Sequence, residues 1–309
     1  FFPVPVLETR PDEGESYGLM PVLVFADKES KAITTILAAI GQYNSITKFS
    51  GATVFFYYPN AIENPNEVFE FYFEFAQKYY RELDLHYFNP KFLDKFFLDS
   101  EFLWLKTPFG RFYGFGAGST EAGESNFVSR NFSFDTTFGY YLHEKLRVNL
   151  TERFTTTDLL TRGISTVQDT LTTYGALPGV NDATNLIHKL SVSFDTRPNL
   201  DSSRKGTFVE GSYFFSIKDF LSDNNINGYS LEAKQLLPWW QGRTVTALRF
   251  YIQDMYGTGI PFNLQSGLGG AFEMRSFIPD RFRDTGKAVL TWEQRIKVWE
   301  HEFFGINVE

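Results

Sequence analysis

Residues Glu67 to Gln77 read EVFEFYFEFAQ, with Phe69, Phe71, Phe73 and Phe75 separated by Glu70, Tyr72 and Glu74. Successive side chains of a strand point to opposite faces, so this period places the four phenylalanines on one face and the carboxylates on the other. Two environments want such a ladder. In a soluble sandwich the aromatic face is core; in a transmembrane barrel it faces lipid, and the glutamates line a wet lumen.

The remaining chain weighs on that choice. Its 309 residues include 35 Phe and 16 Tyr, yet the mean hydropathy is negative, so apolar and polar residues are interleaved. No apolar run reaches the roughly 18 residues a spanning helix needs, which leaves strands as the only route through a bilayer. The formal net charge of −8 argues against a nucleic-acid partner, because phosphate binding calls for a basic surface. The absence of cysteine removes disulfides, thiolate metal sites and cysteine nucleophiles.

The opening pattern recurs. Leu248, Phe250 and Ile252 oppose Arg249, Tyr251 and Gln253; Ala288, Leu290, Trp292, Ile296 and Val298 oppose Thr291, Glu293, Arg295 and Lys297; Val209, Tyr213 and Phe215 oppose Phe208, Glu210 and Ser212. Weaker alternation runs through Tyr17 to Ala26, Ala32 to Gln42, Gly51 to Tyr58, Leu98 to Leu105, Phe127 to Tyr140, Leu146 to Phe154 and Leu186 to Asp195. Turn signals stand between these segments, among them DKES at Asp27, TPFGR at Thr107 and PWWQG at Pro238. The stretch Glu67 to Phe88 reads as one long strand projecting beyond the bilayer, and Thr155 to Asn185 as loop. The pattern predicts roughly a dozen long hairpin-connected strands, which favours an up-and-down barrel over a sandwich. Aromatic pairs at Phe1-Phe2, Tyr57-Tyr58, Tyr79-Tyr80, Tyr140-Tyr141 and Trp239-Trp240 fall where interfacial girdles belong. On this reading Phe69, Phe71, Phe73, Phe75, Leu248, Phe250 and Ile252 face lipid. A soluble sheet would tolerate the same charges on its exterior, but the apolar face and the aromatic pairs at strand ends favour the membrane barrel.

Three motifs carry a resemblance. SFDTRPNLDSSRKGTFVEGSY from Ser193 contains Asp195, Arg197, Gly206 and Glu210 in an Asp-x-Arg, spacer, Gly-x-x-x-Glu order. LGGAFEMRSF from Leu268 ends a glycine-rich stretch in Arg275, Ser276 and Phe277, and the strand that follows carries Glu293 and Arg295 two positions apart. In order and spacing this third of the chain resembles the BamA/TamA-type bacterial surface antigen superfamily, in the subgroup that lacks periplasmic repeats. The resemblance implies an integral protein of a Gram-negative outer membrane. Its fold would be all-β: a transmembrane antiparallel β-barrel of the family's sixteen strands, with the C-terminal strands missing from this chain. Residues 1–16 would be a periplasmic lead-in and 17–309 the barrel, with residues 257–286 folding into the lumen. Arg275, Phe277, Glu293 and Arg295 would form a latch there; on residues alone, Arg275 could equally be a solvated loop tip. Closure would need residues beyond Glu309 or a partner's strands. Ser276 departs from the family, which has glycine at that position.

The implied function is assembly or translocation of proteins through a lateral seam and the latched loop, with outer-membrane lipid and other outer-membrane or periplasmic proteins as partners. The alternative is a structural, anchoring or pore barrel within a larger complex. No enzyme chemistry is expected. His86, His143, His188 and His301 are scattered, no nucleophile elbow or phosphate loop occurs, and Glu70 and Glu74 would lie about 13 Å apart on one strand, too far for either glycosidase geometry. No catalytic residue, cofactor or metal site is therefore predicted.

Overall fold

The computed structural model describes residues 2–10, 13–164, 166–199, 203–271, 273–298, 301–303 and 306–308. The chain is all-β. The strands are β1 (Phe2–Arg10), β2 (Gly14–Ala26), β3 (Ile33–Asn44), β4 (Lys48–Tyr57), β5 (Val68–Ala76), β6 (Arg81–Phe92) and β7 (Phe96–Phe112). β8 (Ser125–His143), β9 (Leu146–Leu160) and the two-residue β10 (Gln168–Asp169) follow, then a short helix α1 (Thr170–Thr173). The chain continues through β11 (Asp182–Asp195), β12 (Gly206–Ser216), β13 (Ile226–Trp239), β14 (Thr244–Gly257), β15 (Ser266–Leu268), β16 (Phe282–Asp284) and β17 (Gly286–Ile296). It ends in β18 (His301–Phe303) and β19 (Ile306–Val308).

One antiparallel meander dominates. Strands β1 to β9, β11 to β14 and β17 lie side by side in chain order, while β10 pairs in parallel with the start of β8. β15 pairs with β16 and β18 with β19, outside the main sheet. Among the described residues β1 and β17 each have one strand neighbour, so the sheet is curled but not closed. The curl shows in its concave side: Val6 of β1, Met20 of β2, Tyr72 and Glu74 of β5 and Asp84 of β6 line one cavity of about 610 Å³. Asp135, Arg153, Lys189, Ser230 and Tyr251, from β8, β9, β11, β13 and β14, line another of about 540 Å³.

Several elements differ from the sequence reading. Residues 1–16 are not a lead-in as far as they are described, because Phe2–Arg10 is a full strand of the sheet, paired from Phe2 with Val22 to Arg10 with Gly14. Pro3 and Pro5 disguise it. Being two residues apart, they place both missing N–H groups on the same side of the strand, and an edge strand has a side with no partner. Glu67 to Phe88 is two strands, not one. The connection Gln77 to Tyr80 has four residues, so the outward set Phe69 to Phe75 continues in phase as Arg81, Leu83 and Leu85. The TPFGR signal lies inside β7, where the ladder slips between Thr107 and Gly110 and accommodates Pro108 as an irregularity. β13 carries mixed residues on both faces and is read as a strand only in the structure. Fourteen strands therefore stand in the main path, against the dozen expected, and of the FFGINVE segment Phe303 and Ile306–Val308 lie in β18 and β19, which pair outside the main sheet. The loop expected from Thr155 to Asn185 is shorter, because β9 runs on to Leu160 and β11 starts at Asp182.

The two rims differ in character. One carries the connections after β2, β4, β6, β8, β11 and β13; the other, the loop rim, carries those after β1, β3, β5 and β12 and the long ones after β7, β9 and β14. The buried apolar clusters sit at the loop rim. Phe112, Phe127, Leu159, Val180 and Phe262 form one; Phe214, Ile226, Met255 and Ile260 form the other. The convex face is apolar and open, with Phe73 40%, Phe75 49% and Leu290 79% exposed. Such a surface in water would be an aggregation hazard, and in lipid it is solvated. Phe73→Arg is expected to destabilise the folded protein in lipid by about 2–4 kcal/mol, whereas Tyr72→Arg, on the concave face beside Glu74, should cost much less. Urea titration in liposomes measures both, and equal effects would contradict the face assignment.

Candidate functional site

The connection between β14 and β17 is the longest in the sheet, and its residues explain why it folds as an arm rather than a tether. At its root, Ile260 and Phe262 are 6% and 0% exposed, Ile260 inserting into the second apolar cluster and Phe262 into the first. Burying two such side chains favours the docked root by about 1.5–3 kcal/mol each. Beyond the root, β15 and β16 pair Ser266 with Asp284 and Leu268 with Phe282, making the arm a hairpin. Gly269 permits the reversal: its φ is 135°, and a Cβ there would lie 2.0 Å from the Ile278 carbonyl oxygen.

Charged groups then fix the arm. Arg283, with a side chain 11% exposed, donates to Asp280 at 2.6 Å and to the carbonyl oxygens of Phe262, Asn263 and Gln265 at 3.3–3.4 Å. Arg281 donates to Ser119 Oγ at 3.0 Å and stacks over the Tyr113 ring at 4.2 Å, tying the arm to the β7–β8 connection. Lys287 of β17 donates to the Gly267 carbonyl at 2.9 Å and to Glu273 at 2.7 Å, with side chains only 13% and 15% exposed. Asn263 and Leu264 line the cavities on both sides of them together with concave-face residues such as Ser133 and Thr155, so the root enters the lumen.

The residues singled out in the sequence fall into two groups. Arg275 reaches Glu293, and Glu293 also accepts from Arg295 at 3.1 Å. Glu293 lies seven residues along β17, about 23 Å from the loop rim. The pair is not buried as expected: the Arg275 side chain is 71% exposed, because it stands at the arm's tip. Arg275→Ala is accordingly expected to cost about 0–1 kcal/mol in thermal unfolding, the range of an exposed ion pair. Phe277 packs beside Phe282, ring centroids 5.3 Å apart. Ser276 does not take a positive φ, so the turn from Met274 to Phe277 needs no glycine there.

The second group is at the opposite rim. Arg197 grips Asp195 at 2.7 Å and lies over the Phe208 ring at 4.9 Å, and Gly206 takes φ 114°, where a Cβ would lie 2.9 Å from the Arg197 Cα. Glu210 stands apart and accepts from Lys189 at 3.0 Å. The two groups share one level: the register runs Gly206, Leu236, Ala247, Glu293 across β12, β13, β14 and β17. The sequence reading missed Ile260, Phe262, Glu273, Arg281, Arg283 and Lys287. Their signal was present as an apolar IPF inside a glycine-rich run and as alternate arginines in PDRFRD.

The lumenal wall is charged. His86 lies 2.8 Å from Asp99 and 3.7 Å from Glu70, while Arg249 and Lys234 both bond Glu232, at 2.6 and 3.2 Å. No set of three or more His, Asp or Glu side chains among the described residues is placed to hold a metal ion.

No protein-family model matches the chain, and no curated protein matches it. Among solved structures it is similar to the BamA of Haemophilus ducreyi lacking POTRA domains 1–3, with 13% identity and a TM-score of 0.51 over 84% of this chain. The fold is that of the BamA barrel. The chain spans about half, 51%, of that BamA structure. At this identity the likeness to BamA concerns the path of the backbone.

Proposed function

We infer that the chain is an integral protein of a Gram-negative outer membrane that assists the assembly or translocation of other proteins, working through the sheet edges at β1 and β17 and the lumenal arm. The observation that carries this reading is the arm's placement: its buried Lys287–Glu273 pair holds it against the inner face of β17, an edge strand among the described residues. An edge strand presents a row of backbone donors and acceptors, which is a template for an incoming strand, and hydrocarbon supplies no substitute partner. The reading involves no catalysis and no cofactor, with outer-membrane lipid and client or accessory proteins as partners and no nucleic acid. A pore or anchoring barrel is the second reading, favoured by the charged lumenal cavities.

The test locks the arm. The variant Glu273→Cys/Lys287→Cys in an otherwise cysteine-free chain lets a short thiol–thiol cross-linker, replacing the span of the Lys and Glu side chains, join arm to strand. In proteoliposomes the unlinked protein should speed insertion of a β-barrel client over protein-free liposomes, and linkage, confirmed by mass, should abolish the gain. Equal rates before and after confirmed linkage overturn the arm's role. Ion conductance without any acceleration selects the pore.

A further inference from the structure

The convex face of β7, β8, β9 and β11 carries polar side chains where the lipid-facing pattern calls for apolar ones. Register sets Ser100 opposite Thr136, Thr136 opposite Glu152, and Glu152 opposite His188, a single row across four adjacent strands. Thr151, Arg153, Ile187 and Lys189 line a lumenal cavity, so Glu152 and His188, one position removed, point to the other face. The row is embedded in the apolar surface. Two residues along each strand toward one rim stand Leu98, Phe138, Leu150 and Leu190; toward the other stand Phe102, Phe134, Phe154 and Leu186.

Within the row the groups bond to one another. Ser100 and Thr136 hydroxyls lie 2.9 Å apart, and His188 Nδ1 lies 2.6 Å from a Glu152 carboxylate oxygen. The rings of Phe215 and Phe220 flank His188 at 5.0 and 6.2 Å, yet 40% of the Glu152 side chain remains exposed on this face. An ionisable pair set toward hydrocarbon is costly and marks a site that something polar covers. We propose that the row is the contact surface of a homodimer in the membrane plane.

A second copy of this chain fits because the pair is self-complementary. A two-fold axis along the membrane normal, passing between Glu152 and His188, sets the carboxylate of each copy against the imidazole of the other, so like groups do not meet. The four groups then satisfy one another away from lipid. The surface is remote from β1 and β17, so it stands or falls independently of any role for the sheet edges.

Single cysteines in the cysteine-free chain test this in liposomes and in native membranes. Leu150→Cys and Leu190→Cys flank the row; Leu231→Cys, 40% exposed on β13, is the control. Oxidation should link copies through Cys at 150 or 190 about tenfold more than at 231, and adding Glu152→Leu/His188→Leu should lower that yield about tenfold while folded, heat-modifiable migration on gels is retained. The single-cysteine proteins keep the pair intact, so the first comparison is readable even if the leucine variant fails to fold. Absence of linked dimers from both flanking positions, equal yield from the control, or linkage only to a different protein overturns the proposal.

Discussion

Phe262→Ala is expected to destabilise the folded protein by about 3–5 kcal/mol, the range for deleting a fully buried aromatic ring. Phe262 is 0% exposed, with the Phe112 ring at 5.0 Å and the Phe127 ring at 5.7 Å, so the cavity left behind would be walled by β7, β8 and the Val180 segment. Because these walls belong to paired strands, they cannot collapse inward cheaply. The loss should appear as a lower urea midpoint in detergent or liposomes. It should also appear as protease cleavage within residues 258–285 before the sheet itself is attacked. An unchanged midpoint with an intact arm would mean that the root is held by its arginine contacts rather than by packing.

Lys287→Met and Glu273→Gln should each cost about 3–5 kcal/mol, since removing one member of a buried ion pair strands the other's charge in a poorly solvated place. With side chains 13% and 15% exposed, neither group can turn to bulk water without moving the arm. The double substitution should cost far less than the sum, because replacing both partners removes the stranded charge as well as the attraction. A double-mutant cycle on unfolding midpoints measures this coupling. Additive single effects would show that Lys287 acts through its bond to the Gly267 carbonyl alone.

Strand identity was legible wherever alternation was strict, as in EVFEFYFEFAQ and TALRFYIQDM, because a two-residue period has one simple geometric meaning. It failed where the chemistry of a single residue hides the period. Prolines at 3 and 5 suppress the reading of β1, a four-residue turn without glycine preserves the phase between β5 and β6, and in β13 Asn227 and Gln235 interrupt the apolar face while Pro238 reads as a turn. The partnership of Arg275 and Glu293 could be anticipated from resemblance, but its exposure could not, since that depends on how far the arm descends. Lys287 looked like an ordinary strand cation. Only the folded arm, which brings Glu273 against it, distinguishes it from Lys297 or Lys234.

The meander has a kinetic consequence. Each main strand is joined to the next in the chain, apart from the short β10 and the arm, so hairpins can form in succession, most of them across short loops with little entropy lost at each step. The arm is of another kind: Arg281 and Ser119, which it joins, are 162 residues apart in the chain, and Phe262 joins β7 and β8 to a segment beyond β14. Those ties cannot form until most of the sheet exists. They therefore act as a late cross-brace that sets the curvature of an already paired wall, and a half-folded chain lacking them would be a wider, flatter ribbon whose edges are still free to meet.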